Sequence, residues 1–437
     1  MKIYATFVVY CCLCLLCPAI SKAGAARYTI GQAVSAGLEA NPGVAAANEM
    51  VSQARLNVKA ARGYFLPSFT LQSSVSRYFQ SGDVVSVDNV DRKMLSNQLA
   101  VSQTLFSGFA IVNNYAKAKI QTDAEKARLD QARLELIYSI QQDFLQLLKS
   151  REDLDTVNNE LERIRSQLDA SRVFYKAGFS PLGDVLKNEV ELSRAETDKI
   201  KVLNSIKNYS TQLNTYLAIP FDEKIDYVGD LHKYNPVVPY DLNSAIVTAL
   251  SKRPDLLLAQ KSVEIAKKEA KGLSAKYYPR VTLDYAKILQ RDDYKNYFYS
   301  ESKQEIDTIG VNLQWNLFDG GNTTYSYKGE LRHIKALEKQ LDNQISGAKA
   351  IILKAFTDIE DAKKLIDVAL QARKNALENY NFAAARYKIK IGTINDLLDA
   401  QYSLTRSESD IGNAYMQYHI AKAALFYNIG VENFGLN

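Results

Sequence analysis

Asp396 and Asp399 stand three positions apart in the stretch Tyr387 to Arg406, YKIKIGTINDLLDAQYSLTR, so both carboxylates lie on one face of a helix. In a single chain, Asp396 reads as a helix cap and Asp399 as a solvated side chain. Three copies gathered around a narrow opening would instead bring the carboxylates together as a ring. Such a ring favours cations, repels anions and raises some of its own pKa values by mutual repulsion. Both readings stand at this point.

Catalytic chemistry finds less support. His232, His333 and His419 are scattered, with no paired-histidine metal spacing, no Gly-rich phosphate loop after a strand and no nucleophile elbow. No catalytic, cofactor-binding or metal-binding residue is assigned, and no cofactor is expected. The formal net charge of +5 includes Lys2 and Lys22; without the first 25 residues it is 52 basic against 49 acidic, or +3. That small excess gives no sign of a nucleic-acid partner.

The acidic stretch has a partner earlier in the chain. Tyr175 to Arg194, YKAGFSPLGDVLKNEVELSR, lies 212 positions before it and shares Tyr175/Tyr387, Asp184/Asp396, Leu186/Leu398, Leu192/Leu404 and Arg194/Arg406. The same offset pairs Pro42/Pro254, Pro67/Pro279, Phe106/Phe318, Gly108/Gly320 and Leu213/Leu425 without a gap. A period this long is not a solenoid repeat; it is one large unit duplicated. The expected plan is a signal peptide over 1–25, a first repeat over 26–220, a linker over 221–240 and a second repeat over 241–437. Each repeat carries a β-hairpin, about 67–106 and about 279–318, and a helical hairpin whose tip lies at about 175–184 and about 387–396.

The signal peptide rests on a basic start, an apolar run from Ile3 to Ile20 and a small-x-small site at Ala23 to Ala25. A transmembrane anchor and lipid attachment at Cys17 are the alternatives, although Leu16 stands where a lipoprotein signal needs a small residue. All four cysteines lie between Cys11 and Cys17, so disulfides and thiolate metal sites play no part in the rest of the chain.

Each repeat opens with an Ala-rich helical stretch, broken at Asn41-Pro42 and at Arg253-Pro254. Alternating sequence follows. Ile309, Val311, Leu313, Trp315 and Leu317 point one way while Gly310, Asn312, Gln314 and Asn316 point the other. Val281, Leu283 and Tyr285 repeat the pattern, as do Phe69, Leu71 and Val75, and Leu99, Val101 and Leu105. Four soluble strands on a core would have this pattern too, but they would leave unpaired edges. Long polar loops, Arg77 to Asn97 and Gln290 to Thr308, join the strands. An apolar outward face, a polar inward face and long loops are what a transmembrane barrel requires. Four strands cannot close one, since about eight is the smallest useful number; the barrel must be shared, and three chains giving a lumen of about 12 strands are favoured over two.

Beyond each hairpin the sequence is helical for about 70 residues, roughly 100 Å as continuous helix. Leu154, Val157, Leu161, Ile164 and Leu168 keep a four-three spacing, so the far end packs as a coiled coil. Gly178 is expected to end the first long helix, with Ser180 as N-cap of the return helix and Pro181 at its first position. Gly392 is expected to end the second, with Thr393 and Asp396 set as a capping box.

Leu38-x-x-Asn41-Pro42, Arg253-Pro254-Asp255-Leu256, Tyr277-Tyr278-Pro279, Leu317-Phe318-Asp319-Gly320-Gly321 and Asp396-Leu397-Leu398-Asp399-Ala400-Gln401, in this order and duplicated, resemble the TolC family of outer-membrane efflux proteins. The resemblance implies an α+β membrane protein: a TolC-like duplicated unit with four β-strands per chain in a shared trimeric barrel, continued by a long coiled-coil α-helical periplasmic tunnel. It implies a homotrimer in outer-membrane lipid of a Gram-negative bacterium, working with a periplasmic adaptor (membrane fusion) protein and an inner-membrane ABC or proton-driven transporter, without nucleic acid. The function implied is the exit duct of a tripartite efflux or type I secretion system. The alternative is a trimeric coiled-coil tether or adhesin without transport. By position, Asp184 matches the family's first-tip aspartate, Tyr387 its gating tyrosine, and Asp396 and Asp399 its ring aspartates. Gly392 stands where the family has a linking arginine. Gly178 and Phe179 resemble the adaptor-docking turn, and Gly392 belongs to the corresponding second tip, where Lys390 rather than glycine stands opposite Gly178.

Overall fold

The computed structural model describes residues 27–80, 90–233, 235, 237–294 and 302–435. The expected signal peptide, with Cys17, lies outside the described residues.

Strand β1 (Arg27–Tyr28) leads into α1 (Ile30–Ala40) and α2 (Pro42–Gly63). Thr29 caps α1 by exchanging hydrogen bonds with Gln32, and Asn41 caps α2 ahead of Pro42, whose missing N–H would have had no partner there. Strands β2 (Ser68–Gln80) and β3 (Val90–Ser107) follow, then α3 (Ala110–Lys176) and its return α4 (Leu182–Tyr216). The short β4 (Asp226–Tyr227) pairs in parallel with β1, a pairing too brief to leave a period-two signal. Then come α5 (Leu242–Lys252), α6 (Pro254–Ser274), β5 (Arg280–Tyr294), β6 (Ser302–Gln314), α7 (Asn322–Lys388) and α8 (Ile394–Ile429).

The two long helices are 67 residues each, or about 100 Å at 1.5 Å per residue. Neither is covered by one partner over that length. Helix α4 packs along α3 at the tip end, α8 along α7, and α2 and α6 take over nearer the strands. The joints between these stacked pieces are alike. Asn41, at the break between α1 and α2, donates its amide to the carbonyl of Tyr216, the last residue of α4, at 3.1 Å. Arg253, at the break between α5 and α6, reaches the carbonyl of Asn428 near the end of α8 at 3.4 Å. The largest buried cluster surrounds this level, with Ile140, Phe144 and Leu147 of α3 against Ala33, Val34, Leu213, Tyr227, Tyr418 and Leu425. Toward the tip, Val157, Leu161 and Ile164 pack against Ala195 of α4.

The sheet runs β2-β3-β5-β6, antiparallel throughout. Its strands are 13, 18, 15 and 13 residues long, longer than the alternating apolar runs alone. Residues 77–80, 90–97, 290–294 and 302–308, read from sequence as loop, are strand. Polar and charged side chains replace apolar ones there without interrupting the ladder: Ser73 bonds Asn97 at 2.7 Å, Arg92 pairs with Asp292 at 2.6 Å, and Lys287 pairs with Glu305. A ladder is built from backbone groups, and cross-strand polar pairs sustain it as apolar ones do. The connecting residues 81–89 and 295–301 lie outside the described residues.

Where strand gives way to helix, glycine is required at one side of the junction. Gly108 has φ +61° and Gly320 has φ +69°. A Cβ on Gly108 would sit 2.3 Å from the Ala275 carbonyl oxygen, whereas nothing lies within 4 Å of one on Gly320. Gly320→Ala therefore meets only left-handed backbone strain, about 1–2 kcal/mol. Gly108→Ala adds a clash with backbone and should cost about 3 kcal/mol or more. Thermal unfolding of the two variants side by side measures the difference; equal losses would mean that the close approach to Ala275 does not constrain the junction.

Candidate functional site

Two surfaces of the chain stand out, an apolar sheet face and the pair of helical tips. The first is the sheet. Phe69, Val101, Tyr285 and Ile309 stand side by side across all four strands, and the rungs nearer the helices add Leu283 with Val311 and Val281 with Leu313. Phe69 is 71% exposed and Ile309 78%. A soluble sheet buries such a face; here nothing among the described residues covers it. The opposite face carries Ser102, Asp284 and Gly310 on one rung and Thr104, Thr282 and Asn312 on the next, with Ser102 and Thr282 donating to Asp284 at 2.5 and 2.6 Å.

At the helical end of the sheet, aromatic side chains collect. Phe106, Phe109 and Tyr278 meet edge to face with ring centroids 5.5 to 6.5 Å apart. Trp315 donates its indole N–H to the Tyr277 carbonyl at 3.2 Å, and Tyr64, Leu317, Phe318 and Tyr325 are exposed around them. Rings with an apolar body and a polar tip are the residues that settle at a membrane–water boundary. Among the described residues no helix is long and apolar enough to cross a membrane.

The second surface is the pair of tips. At the first, α3 ends in a left-handed residue, Gly178 at φ +76°, and the Phe179 N–H returns to the Phe174 carbonyl at 2.8 Å. Helix α4 then starts at Leu182, with Pro181 at the capping position and no side-chain cap. Ser180 is thus not the N-cap expected from sequence. Pro181, in extended conformation, accepts the Asp184 N–H on its carbonyl at 3.1 Å and takes that place.

The second tip makes the same turn with a different residue. Ile391 N–H returns to the Arg386 carbonyl at 3.0 Å, and the left-handed position is held by Lys390 at φ +65°, not by Gly392. Gly392 does not end the helix, as the sequence suggested. It lets the chain fold back tightly: its N–H reaches the Arg386 carbonyl at 3.1 Å, and a Cβ would lie 3.1 Å from the Arg386 Cβ and 3.2 Å from the Tyr387 nitrogen. The capping box of Thr393 and Asp396 forms, with Thr393 N–H to Asp396 at 3.1 Å and Asp396 N–H to Thr393 Oγ1 at 3.2 Å. These bonds from Thr393, with Arg386 nearby, hold the Asp396 carboxyl below the ordinary carboxylate range.

Between the tips runs a hydrogen-bonded relay. Asn188 of α4, fully buried, donates to Ser171 Oγ at 2.7 Å. Ser171 and the Tyr387 hydroxyl lie 3.3 Å apart, and Tyr387 donates to Asp184 Oδ2 at 3.5 Å. With Asn188 donating into Ser171, the serine hydroxyl is left to donate onward to Tyr387, so the bonds run in one direction toward Asp184. Burial, and with it the negative charge of Asp184, pushes the Tyr387 hydroxyl above the ordinary phenol value, which keeps its proton available. Lys187 adds a second link, to Asn395 at 2.8 Å.

The structure therefore brings Asp184 and Tyr387 together, while Asp396 and Asp399 are exposed along one side of α8. Phe179 is 71% exposed at the extremity of the first tip. Ser171, Asn188 and Phe174 escaped the sequence reading, which placed Lys390 opposite Gly178 but not its contact with Phe174. Ser171 was findable, since it occupies the next core position after Leu161, Ile164 and Leu168, and Asn188 lies on the buried stripe with Val185 and Ala195. A polar residue at an apolar position marks a specific buried contact.

Known proteins share this architecture. The chain is 24% identical over 345 residues to the outer membrane protein TolC of Vibrio cholerae, covering 77% of each. It is 20% identical to the alkaline protease secretion protein AprF of Pseudomonas aeruginosa, covering 76% of this chain and 69% of that one. Among solved structures, the outer-membrane channel OprN superposes with a TM-score of 0.78 at 18% identity, covering 92% of this chain and 90% of that one. CusC superposes at 0.79 and 15% identity, covering 92% of each. The family described as outer membrane efflux protein matches residues 33–218 and 245–431, most of the chain in two stretches, and the chain belongs to that family.

Proposed function

We propose that three copies of this chain close one barrel of about 12 strands in the outer membrane and continue it as a helical periplasmic tunnel, the exit duct of a tripartite efflux or type I secretion system. The observation that carries this reading is the sheet: apolar and uncovered on one face, polar on the other, with β2 and β6 at open edges. Strand directions alternate across the sheet, so β6 of one copy meets β2 of the next antiparallel, and closure removes every edge. The aromatic group around Trp315 and Tyr278 would mark the boundary on the tunnel side. Family membership and the names of the relatives, which include a secretion protein and outer-membrane channels, support the same function.

In this reading the chain is two repeats, 26–220 and 241–437, joined by 221–240. The tips lie at the tunnel's periplasmic mouth. Asp184 and Tyr387 hold the two hairpins together as part of the gate, Asp396 and Asp399 face the opening, and Gly178, Phe179 and Gly392 form the surface on which a periplasmic adaptor docks. The adaptor would in turn connect the duct to an inner-membrane transporter. Exposed apolar Phe179 on a turn with no bulk behind it suits such a docking role.

Planar-bilayer recording of the purified protein tests the duct. The expected result is a trimer with discrete conductance steps. A trimer that shows no pore, even after Asp396 and Asp399 are both changed to alanine, would leave a coiled-coil tether as the better account.

A further inference from the structure

Lys390 combines a backbone conformation that glycine would adopt more easily with a side-chain contact that the turn does not require. It holds a left-handed backbone conformation, φ +65°, where the first tip uses Gly178 at φ +76°. Glycine adopts that conformation without strain and lysine does not. Its ammonium, meanwhile, lies 3.5 Å from the centroid of the Phe174 ring and 5.0 Å from that of Tyr387. Phe174 belongs to α3, whereas Lys390 and Tyr387 belong to the second hairpin, and the two rings meet edge to face at 6.4 Å. The left-handed turn is what brings this side chain back over the end of its own helix onto a ring of the neighbouring hairpin.

Helix-end electrostatics does not account for the residue. Arg386 and Lys388 already supply positive charge in the last turn of α7. Burial does not account for it either, because Lys390 is exposed to solvent beyond the contact. What remains is the cation resting on the face of Phe174, an attraction specific to a positive charge over an aromatic ring.

We infer that Lys390 is a cationic latch: its ammonium, seated on Phe174 beside Tyr387, holds the second hairpin's tip against the first and must leave that ring when the tips part. The inference rests on the reading of the tips as a gate, and it assigns to Lys390 a positioning role in that gate. A contact of this kind at an exposed site shifts an equilibrium by about 2- to 5-fold. Three copies released together multiply to roughly 10- to 100-fold.

The test compares Lys390→Gly, Lys390→Arg, Phe174→Leu and Tyr387→Phe trimers in planar bilayers and in thermal unfolding. Lys390→Gly keeps the turn, since Gly178 makes the same one, and removes the cation. It should raise the ratio of high- to low-conductance occupancy roughly 10- to 100-fold while leaving the unfolding temperature unchanged or higher. Lys390→Arg, which keeps a cation over the ring, should stay near the parent chain. Phe174→Leu should open the gate as Lys390→Gly does, and combining the two should add little. A merely structural lysine would not separate opening from stability in this way. If Lys390→Gly behaves as the parent while Tyr387→Phe opens, the latch is overturned and the gate stands. If neither opens, both readings fall.

Discussion

Tyr387→Phe should favour the open tip by roughly a hundredfold, the largest single-atom effect expected in this chain. The change removes one oxygen and leaves the ring in its packing against Ala383, Ile394, Leu397 and Ala400. Lost with it are the hydrogen bond to Asp184 at 3.5 Å and the contact with Ser171 at 3.3 Å, which join α7 to α4 and to α3. Two long, partly buried hydrogen bonds of this kind together contribute about 1 kcal/mol net per copy. If the trimer opens as one unit, three copies give about 3 kcal/mol, and each 1.4 kcal/mol is a tenfold change. Stability should change little, because Asp184 is only half-buried and can turn to water, while Ser171 keeps the Asn188 bond. Conductance of single trimers reads the result. An unchanged distribution of levels would mean that the relay is packing between helices, not a closure that function has to break.

The relay also shows where sequence reading succeeds and where it stops. The alternating strands, the proline breaks and the uninterrupted helical runs are one-dimensional signals: each reflects a local period that folding preserves. Leu161, Ile164 and Leu168 were legible for that reason, and Asp184 and Tyr387 through their matched places in the two halves and the family resemblance. Lys390 was not, because its role depends on a left-handed backbone that propensity argues against in lysine, and on Phe174, 216 positions away. The same rule of thumb misplaced the helix end at Gly392, where the glycine serves a close approach instead. The loop ends failed for a different reason. Polar pairs such as Arg92 with Asp292 continue a strand that an apolar period no longer announces. Hydropathy sees the face of a strand, whereas the ladder along its edge has no signature in side chains at all.

Asp399→Asn should weaken block of the pore by a divalent cation roughly 10- to 100-fold. Two unit charges about 6 Å apart in water interact by about 0.7 kcal/mol, and a divalent ion doubles that. Screening over a Debye length of about 8 Å halves it again. Three carboxylates removed from the trimer then account for about 2 kcal/mol. Asp399 is the cleaner probe, because Asp396 is committed to the Thr393 capping box, and changing it also loosens the start of α8. Unchanged block in Asp399→Asn would mean that this side of α8 does not face the opening. The block that survives in that variant depends on Asp396, and its pH dependence separates two physical effects. Mutual repulsion within a ring raises carboxylate pKa values; the hydrogen bonds from Thr393 lower that of Asp396. A group with a lowered folded-state pKa keeps its charge above the ordinary value and loses it only as pH falls through the lower one. If the cap dominates, residual block persists down to about pH 4, the ordinary carboxylate value, and disappears below it. Residual block that fades well above that pH would show the three carboxylates close enough to repel one another more strongly than Thr393 stabilises each.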